Sequence, residues 1–97
     1  MQVVVSNLAK DDIDRGFAFY ASGGENLGIR FVETILDRLK VLESTAGIHA
    51  KVFGHYRLLA KPFPYVIYYD IEDGVVVVRA VLDWHRSPKL HRRRARG

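Results

Sequence analysis

Asp73-Gly74 sits at the centre of residues 56–88, which read YRLLAKPFPYVIYYDIEDGVVVVRAVLDWHRSP. An Asp-Gly step between two runs rich in Val, Ile and Tyr is the strongest short-range signal for a β-hairpin. A two-residue turn of this kind needs positive φ at both central residues, and Asp and Gly tolerate that conformation. The turn sets the register: if Glu72 faces Val75, then Asp70 faces Val77, Tyr68 faces Arg79 and Val66 faces Val81. Strand alternation then sorts the side chains into two faces. One, with Tyr65, Ile67, Tyr69, Ile71, Val76, Val78, Ala80 and Leu82, is apolar and must be buried. The other, with Val66, Tyr68, Asp70, Val77, Arg79, Val81 and Asp83, is mixed and is expected to stay at least partly open.

Upstream, Gln2 to Val5 reads as a short strand. Ser6 or Asn7 can cap a following helix, with Asp11 and Asp12 placed to complement its dipole. Ile13, Phe17 and Tyr20 recur at helical spacing, and Ser22-Gly23-Gly24 breaks the pattern. A second helix is predicted from about Glu25 to Glu43, with Phe31, Val32, Ile35, Leu36, Leu39 and Leu42 as its apolar stripe. Two helices joined by a tight Gly turn form an antiparallel hairpin. A further strand is predicted over Tyr56 to Ala60. The expected fold class is α+β: a two-helix hairpin packed on one face of a mainly antiparallel twisted sheet, in the order β-α-α-β-β-β.

Ninety-seven residues suit a single domain, residues 1–97, with a basic tail at about 87–97. Without cysteine there is no disulfide framework and no thiolate metal site. Val3 to Val5 is too short an apolar run for a signal peptide, and no stretch is long enough to span a membrane. A cytoplasmic protein is the expectation. Charge is unevenly placed: residues 84–97 hold six of the fifteen basic groups and no acid, leaving nine basic and eleven acidic groups elsewhere. The high isoelectric point therefore belongs to the tail. Either that tail seeks an acidic partner, or it is a solvated end.

No phosphate loop, HExxH pair, GxSxG or calcium loop occurs. The four histidines lack metal-ligand spacing, so neither a metal nor a cofactor is expected. What remains is a polar set on the mixed face: Arg57, Lys61, Tyr68, Arg79 and His85. Arg79 among valines either stacks on Tyr68 and pairs with Asp70, or contacts phosphate. Metal-free RNA cleavage needs a base, an acid and cations, roles that His85, Lys61, Tyr68 and the arginines can fill in principle. Trp84 falls by alternation on the apolar face, where it packs; the alternative is a partner anchor. Phe17 and Phe19 cannot both point inward from one helix face, so one of them, or Tyr20, is expected on an outer groove.

The helix pair, the Phe63-Pro64-Tyr65 opening, the Ile67-Tyr68-Tyr69 core, the acidic turn and the Ala80-Val81-Leu82 exit into a basic segment ending at Pro88 resemble the RelE/ParE superfamily of toxins. The resemblance covers nearly the whole chain and lies nearer the ParE-like branch. It implies a cognate antitoxin that wraps the toxin, contacting Phe17, Tyr20 and Trp84, and a hetero-oligomer with it. For a ParE-like toxin it implies DNA gyrase as target, bound through Arg57, Tyr68, Arg79, His85, Arg86, Arg92 and Arg93. For a RelE-like toxin it implies cleavage of ribosome-bound mRNA, with Lys61, Arg79, His85 and Arg86 as catalytic candidates. Val66 after Tyr65, and Trp84 at the strand exit, stand where nucleases of this kind carry basic residues. Trp84-His85 is similar to one nuclease sub-branch.

Overall fold

In the computed structural model, which describes residues 1–97, Asp73 and Gly74 do turn the backbone with positive φ, 51° and 75°. They join β4 (Tyr65–Glu72) to β5 (Val75–Asp83). Glu72 faces Val75 and Asp70 faces Val77, as the turn dictates. The register then slips by one residue at Arg79. Tyr69 faces Val78, but Tyr68 faces Ala80, Ile67 faces Val81 and Val66 faces Leu82. Arg79 is the extra residue of a β-bulge, so the expected Tyr68–Arg79 and Val66–Val81 pairs do not form. A bulge reverses the alternation beyond it. Val81 therefore joins the main core, while Ala80 and Leu82 move to the second face with Val66 and Tyr68.

The sheet has the order β1-β5-β4-β3-β2, with β1 (Gln2–Val5), β2 (Lys51–Val52) and β3 (His55–Leu59). β1 runs parallel to β5; the other pairings are antiparallel. β2 was not expected. It is joined to β3 by Phe53-Gly54, both at positive φ, an uncommon conformation for an aromatic residue.

α1 (Asn7–Ala21) begins at Ser6, whose Oγ accepts the Ala9 N–H at 3.1 Å. α2 (Glu25–Thr45) extends slightly past the predicted end. Phe31, Ile35, Leu39 and Leu42 pack on Tyr65, Ile67, Tyr69, Val76 and Val78, but Leu36 of the predicted stripe faces solvent. Gly16 is where the helices meet most closely: a Cβ there would lie 2.4 Å from the Phe31 ring.

The second face is not open. α3 (Pro88–Ala95), capped by Ser87 through a 3.2 Å bond from the Leu90 N–H, lies across it. Ala95 packs with Val66, Tyr68, Ala80 and Leu82, and Val66 and Tyr68 are fully buried. Most of the residues expected as a tail thus form a third layer. No helix is long and apolar enough to cross a membrane.

Candidate target-binding face

α3 is fastened to the body by a buried carboxylate. Asp12 is not a dipole partner at the helix start; it lies in mid-α1 and is only 4% exposed. Its Oδ2 accepts the Val81 N–H at 3.0 Å, so α1 caps the β5 edge where β1 has ended. Arg94 reaches across from α3 with two bonds to the same carboxylate, at 2.9 and 2.8 Å, and Arg15 adds a third contact at 3.0 Å. A bidentate guanidinium supplies the geometric match that a buried carboxylate needs.

His91 fixes the other side of α3. Its Nε2 donates to the Asp83 carbonyl at 2.9 Å, which leaves Nδ1 as acceptor for the Tyr68 hydroxyl at 2.8 Å. Burial pushes the His91 pKa below its usual value, against the Asp83 carbonyl bond that favours the proton; Arg57 and Arg86 push it down further. Burial raises the Tyr68 pKa, opposed by the Arg57 charge.

Around this pair opens a pocket of about 160 Å³, walled by Arg57, Trp84, Arg86, Pro88, Tyr68 and His91. Arg57 stands beside Tyr68 on the neighbouring strand. Trp84 lies beyond the end of β5, is 40% exposed and does not continue the apolar face. The bulge and the strand end remove the alternation that predicted it inward.

The remaining polar candidates are not gathered here. Arg79 is clasped by two carboxylates, Asp70 at 3.0 Å and Glu72 at 2.8 Å, and Asp70 also takes His55 at 2.6 Å. His85 is exposed but has both ring nitrogens engaged: Nδ1 with Asp83 at 2.8 Å, and Nε2 accepting the Trp84 indole N–H at 3.1 Å. Lys61 is exposed between β3 and β4 and lines neither pocket. Arg92 and Arg93 face solvent on α3, Arg92 lying 5.2 Å over the Phe53 ring.

A second groove, about 470 Å³, runs between α1, β5 and α3. Arg15, Phe19, Arg86 and Leu90 form its rim, with the Asp12–Arg94 pair in its floor. The outward aromatic of α1 is Phe19, 66% exposed; Phe17 is partly exposed. Tyr20, partly buried against the core, stacks on Phe31, meets Phe63 edge-on and lies tilted to Tyr65, and burial and the charge of Asp83 raise its pKa.

Sequence reasoning missed Asp12, His91 and Arg94. The Ser87-Pro88 step was the available signal, since Ser at the cap with Pro at the first helical position marks a helix start.

The sequence model of the "ParE toxin of type II toxin-antitoxin system, parDE" family matches residues 3–88. That span ends at Pro88, where α3 begins. A solved structure described as "Chromosomal ParDE TA system from P. aeruginosa" has the same fold, with a TM-score of 0.76. It is 19% identical, over 84% of this chain and 92% of that one. No curated protein sequence matches the chain.

Proposed function

This chain belongs to the ParE toxin family of type II toxin–antitoxin systems, and from that premise we propose that it arrests growth by binding DNA gyrase and is neutralised by a cognate antitoxin. The cytoplasm, where the gyrase works, is its place of action. One observation carries the choice of binding over cleavage: the candidate acid, base and cations do not converge. His85 has both nitrogens occupied, Arg79 is neutralised by Asp70 and Glu72, and Lys61 stands apart. Cations outside any ion pair are densest around α3, where Arg86, Lys89, Arg92, Arg93 and Arg96 follow within eleven residues. An exposed cationic helix beside an exposed Trp suits a protein partner with an acidic surface. For the antitoxin, the partly exposed Phe17 and the exposed Phe19 offer apolar anchors on α1, and Trp84 a third near α3.

The deciding experiment compares two reactions of the purified chain. Gyrase supercoiling should fall with added toxin, and recover on adding the antitoxin. Arg92→Glu with Arg93→Glu should weaken that inhibition about tenfold or more, because like charges then face the target. His85→Ala should leave it unchanged, whereas loss of a general acid or base costs roughly 10²–10⁴-fold in a cleaving enzyme. Codon-specific mRNA cleavage on ribosomes, lost in His85→Ala, would instead establish a nuclease.

A further inference from the structure

Two cations enter the 160 Å³ pocket beneath the start of α3, Arg57 from β3 and Arg86 from the turn after β5. Neither takes part in an ion pair. Arg57 Nε is buried without any hydrogen-bond partner, and a buried donor left unmade carries a desolvation cost. The neighbouring polar groups do not relieve it. Asp70 and Glu72 are taken by Arg79 and His55, the Tyr68 hydroxyl is given to His91, and His91 Nε2 is given to Asp83. The site thus presents two positive charges with no carboxylate in its lining to pair them.

We propose that this pocket binds a terminal phosphate, the phosphomonoester of a nucleoside monophosphate or of a 5′-phosphorylated nucleic-acid end. Charge selects the group. A phosphomonoester carries about −1.5 to −2 at neutral pH, matching two guanidiniums, whereas a carboxylate leaves one uncompensated. Donor geometry agrees, because the guanidinium fork recognises phosphate oxygens bidentately. The volume suits a phosphate and the first atoms attached to it, with the rest of the ligand lying outside. Trp84 stands at the pocket wall with a large exposed surface, and a base emerging there has an aromatic face to stack on. The inference goes beyond the proposed gyrase and antitoxin contacts, with which the pocket shares Arg86 and Trp84.

Trp84 is the sole Trp of the chain, so its fluorescence reports this pocket directly. The full chain is titrated at constant ionic strength with inorganic phosphate, AMP, acetate, and a short oligonucleotide with or without a 5′-phosphate. Phosphate and AMP should give saturable changes, AMP binding about tenfold tighter through stacking. The 5′-phosphorylated oligonucleotide should bind better than its 5′-hydroxyl form. Arg57→Gln and, independently, Arg86→Gln should weaken phosphate binding about tenfold or more; Arg86 is exposed, so its variant keeps the fold. Arg30→Gln on α2, with the same loss of charge, should bind as the parent does. A signal that only follows added salt, or survives both pocket substitutions, overturns the proposal. Acetate binding as tightly as phosphate overturns it in favour of an acidic side chain from a protein partner. Equal binding of the two oligonucleotides overturns the terminal-phosphate assignment.

Discussion

His91 is a histidine whose two nitrogens have different jobs. A proton on Nδ1 would force the Tyr68 hydroxyl to turn from donor to acceptor and place a charge near Arg57 and Arg86. Its pKa is lowered in the fold, so below about 6.5, the unperturbed histidine value, the unfolded chain binds the extra proton first. The stabilisation is therefore complete above that pH and is lost as pH falls toward the folded value. Urea unfolding of the parent at pH 7.5 and 5 should show the loss, and His91→Gln should show a smaller one. Tyr65 behaves in the opposite sense. Burial, with Tyr20, Asp83 and Asp12 acting the same way against Arg86, raises its pKa to about 12. Above pH 10, the unperturbed tyrosine value, the unfolded chain loses the proton first, and stability falls as pH rises. Tyrosinate absorbance from Tyr65 should appear late in an alkaline titration, together with loss of the fold. Gly16→Ala tests packing: its new methyl overlaps the Phe31 ring, and overpacking of this kind costs about 1–3 kcal/mol. A lower thermal midpoint with an unchanged fold is the expected reading.

Among the elements, α3 depends on one ion pair for its seat. Arg94→Ala leaves the Asp12 carboxylate buried with fewer partners, and breaking a buried pair costs about 3–5 kcal/mol. Faster amide exchange over α3, with a large drop in the denaturant midpoint, is the expected result. These elements also show what a sequence can reveal. The β4–β5 turn was legible because Asp73-Gly74 determines its own backbone. The helix pair was legible because its apolar periodicity is strong and its break is three small residues. The bulge at Arg79 was not, because it answers to side-chain contacts rather than to strand alternation: Asp70 and Glu72 across the hairpin hold the guanidinium, and Ala80 and Leu82 pack beneath α3. Every facing pair beyond Tyr69 moved for that reason. α3 itself has little apolar stripe, since Leu90 and Ala95 stand among arginines, and its burial rests on His91 and Arg94. A charged run hid a structural helix.

For the molecule as a whole, charge and architecture occupy the same segment. Cutting the chain after Pro88 would remove Arg92 and Arg93 and also expose Val66 and Tyr68. Such a truncation would weaken the proposed target binding through instability as well as charge, so the Arg92→Glu, Arg93→Glu pair is the cleaner test. The topology has a temporal consequence. β1 and α1 leave the ribosome first, yet β1 must wait for β5, and Asp12 must wait for a partner 82 positions later. Contacts so distant in sequence are slow to close, because the intervening loop must be ordered before they contribute. The helix hairpin and its apolar anchors can form while synthesis continues; the sheet edge and the cationic layer over it assemble last. A nascent chain therefore exposes the apolar anchors proposed for the antitoxin before the surface that carries the charge exists.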